Sequence, residues 1–323
     1  MKSFLKFVFK LLLRPVYNQM KHLSSRITQL EFAPDSSSSS TLFRVGQLQH
    51  PGLTPGSASS SELFASSLCR IEDLIHPDYH AICINELKEA PRLHRKQWEW
   101  ALILHVLADR GKLTHGSRGL GFGVGTEPLS SVFAHHGCTI LGTDAPAKVI
   151  DAQWISTGQH SHSLDGMHHS NIISYSLFTD QCMFKELDMN SYDQIPDGYD
   201  FHWSSCVIEH LGSIAKAHEF ILQSARRLAP GGIGVHTTEF NLSSAIETYD
   251  GADTCIFRST DLIALREALI SEGLQVDPLV FDPGTHPYNY HVDIPPYKSV
   301  VHTRLMLAGY ASTSVSLIFT KPT

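Results

Sequence analysis

Between Arg118 and Glu127 the chain reads Arg-Gly-Leu-Gly-Phe-Gly-Val-Gly-Thr-Glu, with glycine at every second position. Glycine at that spacing lets a strand turn sharply and lets a ligand lie against bare main chain. Thr126, at the far edge, is placed to cap a helix over roughly 127–136. The small apolar run Cys138-Thr139-Ile140-Leu141-Gly142 reads as the next buried strand, which ends at Asp144. A carboxylate there can accept both hydroxyls of a ribose in the crevice above a parallel sheet. The expectation is a nucleoside-bearing cofactor.

The spacing argues against a dinucleotide. That fingerprint, G-x-G-x-x-G or A, places its third small residue close to the helix. Counted from Gly121 the third position is Thr126, and counted from Gly119 it is Val124. Three later segments bear on the alternative. Lys185-Glu186-Leu187-Asp188-Met189-Asn190 reads as the end of a third strand. Tyr199-Asp200-Phe201-His202-Trp203-Ser204-Ser205 reads as a fourth, followed by Cys206-Val207-Ile208-Glu209-His210-Leu211. Leu228-Ala229-Pro230-Gly231-Gly232 has the proline and glycine that end a helix.

Taken in this order, the segments resemble the class I S-adenosylmethionine-dependent methyltransferases. The resemblance implies an α/β fold, a doubly wound, mostly parallel seven-stranded Rossmann-like sheet with an antiparallel final strand. It implies that Gly121, Phe122, Gly123 and Gly125 face the methionine part of S-adenosylmethionine and that Asp144 holds the ribose. Asp188 would accept from the adenine amino group, with Met189 over the ring, and Ser204 would lie among the small residues under the substrate. Glu209-His210 would open a helix. One departure stands at Gly119, where many members of the family carry an acidic residue two positions before the first loop glycine.

Composition agrees. The chain of 323 residues is mildly acidic, at a formal charge of -7, which disfavours nucleic acid as a partner because phosphate binding needs concentrated Lys and Arg. The six cysteines include no C-x-x-C pair, as expected for buried, reduced thiols in a cytosolic enzyme. No run of about twenty apolar residues is present to span a bilayer.

Four segments follow from the patterning: 1–34, a basic amphipathic helical extension; 35–61, a Ser-rich linker; 62–116, a helical cap and lead-in; and 117–323, the methyltransferase domain. Lys2, Lys6, Lys10 and Arg14 recur every four residues and stack on one helical face opposite Phe4, Leu5, Val8 and Leu12. Such a helix either lies in a membrane surface, lysines toward lipid phosphates, or packs on the enzyme's own core or a second subunit. Residues 91–111 read as a helix with Trp98, Ala101 and Leu102 on its apolar side and Arg95, Lys96 and Glu99 on its polar side. A fifth strand is expected over 232–238, a helix over 260–272 capped by Ser259 or Thr260, and a closing strand pair at 274–281 and 313–319. The long insert over 282–311 is expected beside the substrate mouth.

Methyl transfer to an alcohol benefits from a general base, and histidine suits that work near neutral pH. Among the 20 histidines, position selects His210, after the fourth strand, and His236, near the end of the fifth, with Glu239 beside it. The loop 154–162 is a further candidate wall. Asp293-Ile294-Pro295-Pro296-Tyr297 resembles an acidic-Pro-Pro-aromatic motif but carries an extra residue and comes late in the chain. The run His160, His162, His168 and His169 matches no closed zinc site, so no metal is assigned.

The motif set from Gly119–Pro128 through Gly309-Tyr310 also looks like bacterial methyltransferases of surface glycan assembly. The leading expectation is thus an O-methyltransferase for a sugar or a lipid-linked glycan precursor, cytoplasmic and peripheral to the membrane's inner face, in one or more copies. An aromatic or polyketide-like hydroxyl is the alternative acceptor. A partner subunit that keeps the cofactor site without turnover is the alternative from another class.

Overall fold

In the computed structural model the described residues are 41–42, 52–146 and 160–323. The amphipathic segment 1–14, the linker serines 36–40 and most of the candidate wall 154–162 lie outside them. Eight strands build the main sheet: β1 (Arg118–Phe122), β2 (Thr139–Asp144), β3 (Cys182–Glu186), β4 (Tyr199–Ser205), β5 (Leu228–Asn241), β6 (Gln275–Val276), β7 (Leu305–Leu307) and β8 (Tyr310–Thr320). Their order is β3-β2-β1-β4-β5-β8-β6, with β7 paired to β8. The first five run parallel, and β8 inserts antiparallel between β5 and β6. This is the doubly wound, mostly parallel sheet that the sequence implied, with one short strand more. Ala308 and Gly309, both at positive φ (48° and 87°), make the two-residue turn that hairpins β7 onto β8.

Six helices matter to the site: α1 (Pro77–Ile82), α2 (Arg95–Asp109), α3 (Leu129–His135), α4 (Tyr175–Gln181), α5 (Ile214–Arg226) and α6 (Ser259–Ser271). One face of the sheet packs under α5 and α6 through Phe122, Phe220, Leu265, Leu317 and Phe319. The other packs under α2, α3 and α4 through Trp98, Leu102, Phe133, Phe178, Trp203 and Val235. Strand alternation explains the split: Leu120 and Phe122 point one way, whereas Gly119 and Gly121 face the rings of Phe201 and Trp203.

Several expected boundaries move, each for a local reason. The helix after the glycine turn starts at Leu129, with Pro128 and not Thr126 at its cap, and no side chain caps it. Residues 208–210 form only a 3₁₀ turn; α5 begins after Ser213, whose hydroxyl accepts from Lys216 N. The preceding turn cannot continue into α5 because Gly212 adopts φ 99°. Helix α5 stops at Arg226, so Pro230-Gly231 belong to β5: Tyr199 pairs with Leu228 and Phe201 with Ile233, and the extra residues between form a bulge. The cap of α6 is Arg258, tied to Asp261 by its main-chain N–H and its guanidinium, each 2.8 Å from the carboxylate. Of the expected strand 274–281 only Gln275–Val276 pairs with β8. Beyond it, Val280 and Phe281 bond to Ser67 and Thr54.

All six cysteines are free and buried. Among the described residues no helix is long and apolar enough to cross a membrane.

Candidate active site

The four glycines of the opening motif do two different jobs. A Cβ at Gly119 would lie 2.4 Å from the Phe201 ring, and one at Gly121 would lie 2.4 Å from both Trp203 and Val124. These two glycines make room for aromatic rings inside the sheet. Gly123 (φ 57°) and Gly125 (φ 50°) form the turn itself, in backbone that L-residues rarely adopt. The bare main chain at the turn is therefore limited to the second pair. Phe122 packs edge-on against Phe220, with ring centroids 4.9 Å apart, on the α5 face of the sheet.

Asp144, at the C-terminal end of β2, is buried next to that turn. Its Oδ2 accepts from Gly125 N (3.2 Å) and Ser161 N (3.0 Å), and its Oδ1 accepts from Ala145 N (2.8 Å). Burial raises its pKa, against these hydrogen bonds and His160. Asp144 pairs in register with Glu186, so Asp188 lies two residues further on, past the neighbouring strand end. Asp188 Oδ1 accepts from Asn190 N at 2.9 Å, and Met189 is buried beside it.

The polar side of α2 is largely withdrawn from solvent, with Arg95 and Lys96 half-buried. Glu99 is fully buried, under small hydroxyl residues that β4, β5 and β8 present at their C-terminal or adjoining ends. Its carboxylate accepts from Ser205 Oγ (2.7 Å), Thr237 Oγ1 (3.3 Å), Ser314 Oγ (2.5 Å) and the Cys206 thiol (3.2 Å). Lys96 Nζ lies 3.0 Å from it and 3.5 Å from Glu127. Burial would raise the pKa of Glu99, but Lys96 and then Arg95 outweigh that and bring it down to about 2. Glu127, with Lys96 as its main opposing partner, is pushed up by burial to about 7. Lys96 and Arg95 stay protonated well past their ordinary range, because their carboxylate partners outweigh burial.

Arg95 pairs with Glu239, whose other oxygen accepts from Ser312 Oγ at 3.0 Å. Thr238 Oγ1 donates to Glu209 at 3.0 Å. Burial raises the Glu209 pKa, and Glu239 adds to the rise, against the opposing effect of His210. Cys206, between the strand and these acids, holds φ at 50° without being a glycine, a strained conformation of the kind stored at functional sites. Donor atoms of Cys206, Glu209 and Glu239 fall within 4.8 Å of one another. Burial, with Glu209 and Glu99 beside it, raises the pKa of the thiol.

The structure thus brings Glu239 into a charged cluster, turns His236 away from it and leaves His210 at its exposed edge, next to Glu209. His236 points to the opposite face of β5, stacked on Phe319 at 5.6 Å, and shares a 2.8 Å hydrogen bond with Ser204 Oγ. Burial lowers its pKa to about 3. His210 is exposed, with Nδ1 2.8 Å from Asp253 O. Sequence reasoning missed Glu99, Arg95, Lys96, Cys206 and Glu209. One signal was readable: Ser205, Thr237 and Ser314 are hydroxyl residues buried within sheet strands. A hollow of about 320 Å3 lies instead along the second half of α2, near Leu102, His105 and Ile318, away from these groups.

No family profile matches the chain, and no curated protein matches it in sequence. Solved structures resemble it in fold. Magnesium protoporphyrin IX methyltransferase from Synechocystis PCC 6803, with bound SAM, has a TM-score of 0.40 at 16% identity, over 70% of this chain and 79% of that one. The [4+2]-cyclase SpnF gives 0.44 at 14% identity, over 70% and 82%. The N-terminal domain of EvdMO1, solved with SAH and D-fucose, gives 0.42 at 12% identity, over 69% and 82%. At these scores they add nothing to what the strand order already says.

Proposed function

We propose that the chain is an S-adenosylmethionine-dependent methyltransferase acting on a hydroxyl of a sugar or glycan precursor. The observation that carries the reading is Asp144, a desolvated carboxylate at a strand end, bonded to the main chain of the Gly123–Gly125 turn. Such a carboxylate suits two ribose hydroxyls, since it gains from every donor offered to it. Asp188 and Met189, one strand over, suit the adenine end. When bound, the cofactor supplies an electrophilic methyl group. The protein aligns the acceptor in line with it and excludes water.

A polar acceptor fits the other half of the site. Glu209, Glu239, Arg95 and the hydroxyls around them offer both donors and acceptors of the kind a polyol engages, whereas an aromatic substrate calls for a mostly apolar lining. Residues 1–14 would hold the enzyme at a membrane surface where lipid-linked sugars are assembled.

The test is calorimetric titration with S-adenosylmethionine, followed by incubation with UDP- and dTDP-linked hexoses and, separately, simple phenols. Saturable cofactor binding and a methyl's mass added to a hexose support the reading. Lack of binding ends it, and methylated phenol with untouched hexose moves the acceptor to the aromatic class.

A further inference from the structure

The insert over 282–311 delivers a histidine–carboxylate pair to the start of α2. His302 forms a parallel bridge with His94: Arg95 N donates to His302 O at 3.0 Å, and His302 N donates to Leu93 O at 2.8 Å. The main chain at 302 is therefore fixed against the residue that carries the Glu239 ion pair. The ring is fixed as well. His302 Nδ1 lies 2.6 Å from Asp293 Oδ2, His94 stacks on the ring at 4.6 Å, and Tyr297 meets it edge-on at 5.9 Å. Asp293 is buried, donates from its N to Arg304 O (2.8 Å) and accepts from Met306 N (2.9 Å).

A carboxylate on Nδ1 keeps the imidazole proton on that nitrogen and leaves the lone pair on Nε2. Among the described residues Nε2 has no hydrogen-bond partner, and the side chain is 18% exposed. The basic nitrogen is thus held in a rigid frame and open to an incoming group. Its neighbours are Asp293 and Tyr297 from the insert and His94 and Arg95 from the α2 side, with Glu239 beyond Arg95. Successive residues of α2 link this pair to the cofactor turn: Arg95 holds Glu239, and Lys96 reaches Glu127, two residues past Gly125.

We propose that His302 is the proton acceptor of the reaction and that Asp293 positions it. The inference rests on the methyl-transfer reading above. The acceptor oxygen attacks the methyl carbon, the carbon–sulfur bond breaks with its electron pair left on sulfur, and the hydroxyl proton passes to His302 Nε2. The imidazolium so formed is stabilised by the Asp293 carboxylate, and it returns the proton to water after product release.

Two measurements test this. In 15N-histidine NMR of the full-length protein, with the signal assigned by its loss in His302→Gln, the wild-type ring is expected as the Nδ1–H tautomer. Asp293→Asn is expected to give a mixture. A wild-type ring that is already mixed, or that carries its proton on Nε2, overturns the proposal. Release of S-adenosylhomocysteine with dTDP- and UDP-hexoses is the second readout. His302→Gln is expected to lower kcat roughly 10²–10⁴-fold, with S-adenosylmethionine affinity kept. Full turnover in His302→Gln sinks the role of His302 alone. Failure of the wild type to bind S-adenosylmethionine sinks the methyl-transfer reading and this inference with it.

Discussion

Replacing Glu99 by glutamine removes one charge and almost no volume. In the folded protein burial opposes the Glu99 charge, yet Lys96 and Arg95 bring its pKa from the ordinary 4.5 down to about 2. That gap corresponds to about 3 kcal/mol of folding free energy at neutral pH. An independent route gives the same size: breaking a buried ion pair by removing one partner costs about 3–5 kcal/mol, because the remaining charge is left uncompensated. Glutamine also turns an acceptor into a donor, facing Ser205, Thr237 and Ser314, all of which donate to Glu99.

The pH dependence separates this account from a simple packing defect. A depressed carboxylate pKa contributes stability that is fully present above the unfolded value and is lost as pH falls through the folded value. The gap between wild type and Glu99→Gln should therefore be about 3 kcal/mol at pH 7 and shrink by about 1.4 kcal/mol for each pH unit below about 4.5. Urea unfolding followed by the fluorescence of the buried Trp98 and Trp203 measures it at both ends. A gap under about 1 kcal/mol at pH 7, or one that stays constant down to pH 3.5, would refute the reasoning.

Three further outcomes are expected. Gly121→Ala puts a methyl 2.4 Å from the Trp203 ring and should cost about 1–3 kcal/mol; an unchanged Tm would show that the ring has room. His236, which burial holds neutral down to about pH 3, leaves the folded state without a proton that the unfolded chain takes up below about 6.5. Stability should then fall by about 1.4 kcal/mol per pH unit between those values, and His236→Gln should flatten the slope by that amount; an unaltered slope counts against the buried neutral ring. Asp144→Ala should weaken S-adenosylmethionine roughly 10- to 100-fold, the value of one charged hydrogen bond, and calorimetry returning the wild-type affinity would remove Asp144 from the cofactor site.

β1 and β2 were legible because they are short, largely apolar runs punctuated by glycine, and such runs have few alternatives. The ends of α5 were not, because they depend on tertiary details: the kink at Gly212 before it and the bulge opposite Tyr199 after it. The turn at Gly123 and Gly125 and the strand end at Asp144 were legible because main-chain shape defines them. The site was illegible where side chains from distant segments converge. Glu99 and Ser314 are neighbours only after β8 inserts beside β5, so Arg95, Lys96 and Glu99 looked like an ordinary solvated helix face. Asp293 and His302 lie nine residues apart in an insert without periodicity, and nothing local aligns them with α2. Histidine count misled for a related reason: strand alternation sends His236 to the closed face of the same strand whose Glu239 opens onto the cluster.

The cluster beneath α2 argues for turnover and against a subunit that merely keeps the fold. Burying Glu99, Glu209, Glu239, Arg95 and Lys96 together carries a large desolvation cost, and well-packed apolar side chains of similar volume would serve folding equally well or better. The arrangement is also specific in a way that stability does not require. Glu239 is tied to Arg95 and Ser312, whereas Glu209, which Thr238 alone contacts by a side-chain hydroxyl among these groups, is the acid whose proton affinity burial and Glu239 raise. Strain at Cys206 falls between the two acids. A cluster that ties one carboxylate to a guanidinium and leaves its neighbour with a raised pKa divides two acids in a way that folding alone does not call for. A partner subunit without chemistry would gain nothing from that division.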